Sequence, residues 1–255
     1  MAETVLAAQL YTIREFMKTP ADMAKSLKKI KEIGYDAVQL SGHGPVADEE
    51  MKKMLDDAGL VVCATHTSYQ LMRDEPQKVI DQHLLWGCMN PAIGGLPGEY
   101  RNAEGYSKFA REASKVGARL AEAGMTFSYH NHSFELEKHG DRTGLQILYE
   151  DSDPKYFFSE IDTYWVQHGG GDPAAWIRSL KGRAKLVHFK DMAIKGHEQR
   201  FAEIGEGNLN WPGILDACKE AGVEWHIVEQ DRTYDLHPFE SLAISLKNLK
   251  AMGLK

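Results

Sequence analysis

Four successive segments in the second half of the chain end in residues able to hold a divalent cation or to move a proton. They are Tyr129-His130-Asn131-His132, then Glu160-Ile161-Asp162, then Val187-His188-Phe189-Lys190-Asp191, and finally Val228-Glu229-Gln230-Asp231. A single histidine or aspartate at a strand end is more often a loop hydrogen-bonder. Four such ends in succession are different if the segments are neighbouring strands, because adjacent strand ends lie about 5 Å apart. Carboxylates gathered that closely repel one another, and a divalent cation is the simplest partner that satisfies them. Mixed imidazole and carboxylate donors suit Mn, Zn, Co or Fe and also admit Mg.

Earlier segments end in polar residues as well. His66 closes Ala64-Thr65-His66, where it either reaches a substrate or simply fills the rim. Gln9, Tyr11, Gln39 and Ser41 are uncharged hydrogen-bonders of the kind that suits a polyol. Trp165 offers a face on which a sugar could stack, although tryptophan in such a place more often packs. Glycines at 169–171 and at Gly205 and Gly207 read as loop turns, and neither group has phosphate-loop spacing. Lys190 and Arg232 are the cations near these ends, so the expected substrate is an unphosphorylated sugar, cyclitol or glycoside.

Strand ends must be collected by a scaffold, and the chain supplies a regular one. Short apolar runs at 4–11, 37–40, 60–65, 90–97, 125–130, 156–161, 184–189 and 225–229 alternate with helical patterns. Thr19 precedes Pro20, and Met23, Leu27, Ile30 and Ile33 then recur at helical spacing until Gly34. Asp172-Pro173 and His237-Pro238 open later helices in the same way. The fourth run has little apolar length and two prolines, and its place rests mainly on the helix after it. Eight strand–helix units in 255 residues with no linker between them predict an α/β fold, a single-domain (β/α)₈ TIM barrel spanning 1–255. An open doubly wound sheet would want a glycine-rich turn after the first strand, and residues 10–14 contain no glycine.

A formal net charge of −7 argues against nucleic acid, which needs a basic footprint. No apolar run approaches the roughly 20 residues that span a bilayer. The start of the sequence has Glu3 and no basic region, so no signal peptide is expected and the protein reads as cytoplasmic. Cys63, Cys88 and Cys218 show no paired spacing and are expected to be buried, reduced thiols. The expected partner is a small carbohydrate, and a homo-oligomer is compatible with the sequence.

At these residues the chain resembles the xylose isomerase-like barrels grouped as sugar phosphate isomerases/epimerases, over essentially its full length. The segments that carry the resemblance are 129–135 (YHNHSFE), 162–165 (DTYW), 187–191 (VHFKD), Gly205-Glu206-Gly207 with Trp211, and 227–230 (IVEQ). The resemblance implies a metal centre in which Asp162, His188 and Glu229 are ligands. His130 is the positional match for the remaining ligand, with Glu135 as the alternative. Manganese is the first expectation, with Mg, Co or Zn as alternatives. Two positions depart from enzymes similar to tagatose 3-epimerase: His130 stands where they carry glutamate, and Trp165 where they carry histidine. The pairs His130/His132 and His188/Lys190 also look like inosose dehydratase and enzymes acting on 3-keto-glycosides.

A metal on a carbonyl and its neighbouring hydroxyl favours the enediolate formed when a base removes the α-proton. Glu229 is the expected base, with His66 or Glu135 on the other side, and Gln39, His132, Trp165 and Lys190 are expected to contact substrate. Return of the proton gives isomerisation or epimerisation, whereas departure of a β-substituent gives dehydration or glycoside cleavage. A phosphodiesterase of the endonuclease IV type shares the fold but would want a basic track, and a non-catalytic sugar-binding barrel would not need metal ligands.

Overall fold

The computed structural model describes residues 5–254. Thr4, placed by the sequence in the first strand, and the N-terminal residues read for a signal lie outside that range. Eight parallel strands close into a barrel: β1 (Val5–Gln9), β2 (Ala37–Leu40), β3 (Val61–His66), β4 (Pro91–Ile93), β5 (Ser128–His130), β6 (Phe158–Asp162), β7 (Ala184–Phe189) and β8 (Trp225–Val228). They follow one another round the barrel in chain order, and β8 pairs with β1. No helix among the described residues is long and apolar enough to cross a membrane.

The outer helices form where local signals put them. α1 (Pro20–Ile33) starts at Thr19, whose hydroxyl accepts from the Asp22 amide, and stops at Gly34, whose φ of 112° suits glycine. It turns Met23, Leu27 and Ile30 into the core, each fully buried. Burial of such side chains stabilises by about 1.5–3 kcal/mol apiece. Later in the chain, the helix Pro173–Ser179 is capped by Asp172, which accepts from the amides of Ala174 and Ala175.

Strand lengths are where sequence and structure part. The first strand ends at Gln9 rather than Tyr11, because the chain turns there into a 3-10 helix, Leu10–Phe16. The fourth has only three residues and begins on Pro91, a position where the missing amide is tolerated. The fifth begins at Ser128 instead of 125, and the eighth ends one residue before Glu229.

Alternation along the strands divides the barrel interior into levels. Ala7, Ala37, Leu186 and Ile227 belong to one small apolar cluster with Cys63 and Ala64. Two residues further along the same strands stand Gln9, Gln39, His188 and Glu229, all buried. With a side-chain period of two, each strand that turns an apolar residue inward turns a polar one inward nearer its C-terminal end. The polar level therefore sits at the barrel mouth, where chemistry in this architecture is placed. The three cysteines are free and buried.

Candidate metal centre

His130 at the end of β5, Asp162 at the end of β6, His188 on β7 and Glu229 just after β8 converge, with one ligand atom of each lying within 4.8 Å of the others. All four are buried. His130 Nε2 lies 3.2 Å from Asp162 Oδ2, and its Nδ1 lies 3.3 Å from the Gly94 carbonyl. That carbonyl can only accept, so it holds the proton on Nδ1 and leaves the Nε2 lone pair facing the centre. His188 is oriented similarly. Its Nε2 is 2.6 Å from Gln39 Oε1 and 3.3 Å from Glu160 Oε1, while Nδ1 faces Glu229 Oε2 at 2.9 Å. Asp162 Oδ1 accepts from the Trp165 amide, which aims Oδ2 inward.

Lys190 enters the same cluster. Its Nζ lies 2.9 Å from Asp162 Oδ2, 2.7 Å from Glu229 Oε2 and 2.8 Å from Asp231 Oδ2. Burial would raise the pKa of Glu229, but Lys190 and His188 more than offset it and hold the carboxyl well below its usual range. Asp162 is likewise lowered against burial, by Lys190 and His130. Burial opposes charge on His188 too, yet Glu160 and Glu229 push its pKa up to about 10.

This donor set fits a divalent cation. Asp162, Glu229 and Asp231 all reach the one ammonium of Lys190, and Glu160 is buried against His188, so carboxylates outnumber the cations around them and a divalent ion would offset the excess. A proton on His188 relieves only part of the excess. His130 Nε2, Asp162 Oδ2, His188 Nδ1 and Glu229 are the atoms and group available to hold the ion.

A cavity of about 290 Å³ opens beside the cluster, lined by Tyr11, Ser41, His66, His130, His132 and Glu229 among others. His66 stacks on His188 with ring centroids 5.5 Å apart. Its pKa is lowered, since burial outweighs the neighbouring Glu160 carboxylate. His132 Nδ1 and Trp165 Nε1 are buried atoms without a hydrogen-bond partner among the described residues. Unpaired buried polar atoms are costly, and of these two residues His132 lines the cavity. Burial, together with His130 and Lys190, lowers the pKa of His132 to about 3.

Three of the expected site residues are engaged by other protein groups. Glu135 does not join the cluster: Tyr129 points away from the barrel interior into the core, and the Glu135 carboxylate follows it, accepting from the Tyr129 hydroxyl at 2.5 Å and the His132 amide at 2.9 Å. Gln39 does not reach into the cavity: fully buried, it is engaged by Gln9, Glu160 and His188. Lys190, expected on substrate, is instead held by three carboxylates.

Glu160 stands in the strand-six segment beside Asp162 but is assigned no role of its own by the sequence. It is fully buried and contacts Gln39, His66 and His188. Its signal was present, since it stands two residues before Asp162 and so shares a face with it. Trp211 and Asp191 belong to the loop framework, with Trp211 Nε1 donating to Asp191 Oδ2 at 2.6 Å.

Comparison with known proteins fits this geometry. Inosose dehydratase from Lacticaseibacillus casei is 27% identical over 188 residues, which cover 66% of this chain and 61% of that protein, so the chain spans about three-fifths of that relative's length. A sugar phosphate isomerase/epimerase from Parabacteroides distasonis has a solved structure that superposes with a TM-score of 0.81 at 25% identity, covering 100% of this chain and 96% of that one. A xylose isomerase-like TIM barrel protein from Mycobacterium smegmatis, solved in complex with magnesium, shares the fold with a TM-score of 0.75 at 13% identity over 97% of this chain and 95% of its own. Residues 27–252 match the model of the xylose isomerase-like TIM barrel family, and the chain belongs to that family.

Proposed function

We propose that the protein is a divalent-metal-dependent isomerase or epimerase that removes and returns a proton next to a carbonyl of an unphosphorylated sugar, cyclitol or keto-glycoside. The observation that carries this reading is the convergence of His130, Asp162, His188 and Glu229 within 4.8 Å on the wall of a cavity that His66 also lines. Manganese is the first candidate for the ion, with Mg, Co or Zn as alternatives. A bound ion would supply Lewis-acid polarisation of the substrate carbonyl and its neighbouring hydroxyl.

The chain's own residues supply the proton movement. Of the titratable groups that line the cavity, Glu229 and His66 are the pair assigned to take and return a proton, one just after β8 and the other from β3, three strands apart round the barrel. His132 lines the cavity with Nδ1 unpaired, which supports a role in orienting a substrate hydroxyl, and Trp165 packs beside it with ring centroids 5.3 Å apart. Lys190 is matched by carboxylates and so is not free to bind a phosphate, which supports an unphosphorylated substrate.

The inosose dehydratase relative favours a second reading, a lyase in which the same enediolate expels a β-hydroxyl as water. His130 in place of a carboxylate supports it too, because the ligand set then holds fewer groups able to return a proton. Manganese-loaded protein incubated in D₂O with ketoses, inososes and 3-keto-glycosides separates the two. Deuterium at the substrate α-carbon with the formula otherwise kept supports the isomerase, loss of water supports the lyase, and no conversion of any of these substrates overturns both.

A further inference from the structure

A hydrogen-bond chain that starts at a backbone amide fixes which nitrogen of a cavity histidine carries its proton. The Tyr11 N–H can only donate, and it donates to Gln9 Oε1 at 3.2 Å. Gln9 must then turn its Nε2 to Gln39, where it lies 2.8 Å from Oε1. Gln39 in turn donates Nε2–H to Glu160 Oε1 at 2.7 Å. Reversing either amide would set N–H against N–H in a fully buried layer. The other oxygen of the Glu160 carboxylate lies 2.7 Å from His66 Nε2, which therefore donates to it. The proton of neutral His66 is on Nε2, and Nδ1 is left bare.

Nδ1 faces the side of the cavity formed by Gly94. A Cβ at that residue would lie 2.9 Å from Nδ1, so the absence of a side chain keeps this nitrogen open. We propose that His66 enters the reaction as a proton acceptor through Nδ1, and that Glu160 is the positioning residue that imposes this tautomer. The catalytic half of the proposal rests on the proton-transfer chemistry put forward above; the tautomer does not.

The step balances. A substrate C–H bond breaks, its electron pair stays on the substrate as an enediolate, and the proton forms the Nδ1–H bond. Glu160, still accepting at Nε2, balances the imidazolium. The same proton leaves Nδ1 either for the neighbouring carbon, completing an isomerisation as the enediolate's hydroxyl proton passes to the other oxygen, or for a departing hydroxyl, released as water.

The test is NMR of the ring nitrogens in metal-free protein labelled with [15N]histidine at neutral pH, with His66 assigned from the signals lost in His66→Gln. The expected spectrum shows Nε2 protonated and Nδ1 bare; a proton on Nδ1 overturns the proposal, whatever the enzyme's substrate. In Glu160→Gln the new amide keeps its oxygen on the Gln39 N–H and turns its own N–H toward His66. The His66 proton should then move to Nδ1, and kcat should fall at least about a hundredfold with metal content and KM kept. A variant that folds with tautomer and kcat unchanged also overturns it. If the variant does not fold, the wild-type spectrum still decides the tautomer. A bare Nδ1 in a protein that converts none of the carbohydrates tested would sink the functional reading and leave the tautomer standing.

Discussion

Lys190 Nζ stands 2.7 Å from Glu229 Oε2 with both side chains buried, so the carboxylate best placed to hold a metal is already paired with a fixed ammonium. Removing one partner of a buried pair leaves an uncompensated charge, which typically costs about 3–5 kcal/mol. Lys190→Met should lose roughly that much stability in EDTA. A divalent ion should then stabilise the variant more than the wild type, because it replaces the missing charge. Urea unfolding with EDTA and with manganese measures both effects, and a variant as stable as wild type in EDTA would show that the ammonium is not needed to hold these carboxylates together.

Glu229 and His66 line one cavity but differ in their grouping: Glu229 belongs with His130, Asp162 and His188, whereas His66 gathers with Glu160 around the other side of His188. Glu229→Gln should lose metal affinity and activity together. His66→Ala should keep its metal content and fold while kcat drops at least about a hundredfold, the usual loss for a positioned acid or base. Elemental analysis beside steady-state kinetics distinguishes the two variants. Near wild-type turnover in His66→Ala would reduce His66 to a rim side chain.

Glu135 gives a pH-dependent stability of known sign. Burial outweighs its bonds from Tyr129 and His132 and raises its pKa from 4.5 to about 7. A carboxyl whose folded pKa is raised binds its proton more tightly in the native state. Its contribution is therefore full below pH 4.5 and lost as pH climbs through about 7. The change is about 3 kcal/mol across that window. Subtracting the stability curve of Glu135→Gln from that of wild type, between pH 4 and pH 8, should leave a difference that declines with pH, and a flat difference would mean the carboxyl is ionised in the folded protein.

The barrel was legible because its signals are local. Thr19 and Asp172 cap helices through bonds to amides two or three residues away, and the apolar spacing of Met23, Leu27 and Ile30 belongs to one helix. The convergence of His130, Asp162, His188 and Glu229 was legible because strand ends in this architecture converge by closure alone. What escaped depends on pairings across the barrel. Gln39 meets Glu160 from 121 residues away, and Lys190 meets Asp231 from 41 residues away. Glu135 escaped for a different reason: whether its loop returned to the His130 face or the Tyr129 face of the strand is a choice of register that residue type does not reveal. The fourth strand was hard to delimit because a ladder of three residues beginning on Pro91 carries almost no alternation to read.

Asp191 holds the loop after β7 by accepting every donor that loop turns toward it. The amides of Met192, Gly205, Gly207 and Leu209 and the Trp211 indole all reach its carboxylate, at 2.6 to 3.2 Å. Gly207 is part of the same fit, since a Cβ there would lie 2.3 Å from Asp191 Oδ1 and 2.5 Å from the Met192 carbonyl. Hydrogen bonds to a charged acceptor contribute about 1.5–3 kcal/mol each, and an amide at 191 would turn N–H groups toward donors already present. Asp191→Asn should therefore destabilise by roughly 3 kcal/mol, with the loss concentrated in this loop. Gly207→Ala should displace the same segment without touching any ligand of the proposed centre. In both variants hydrogen exchange at the amides of Gly205, Gly207 and Leu209 should accelerate, while metal content stays that of wild type because His188 is held separately by Gln39 and Glu160. Unchanged protection at those three amides would mean that the loop is held by something other than Asp191.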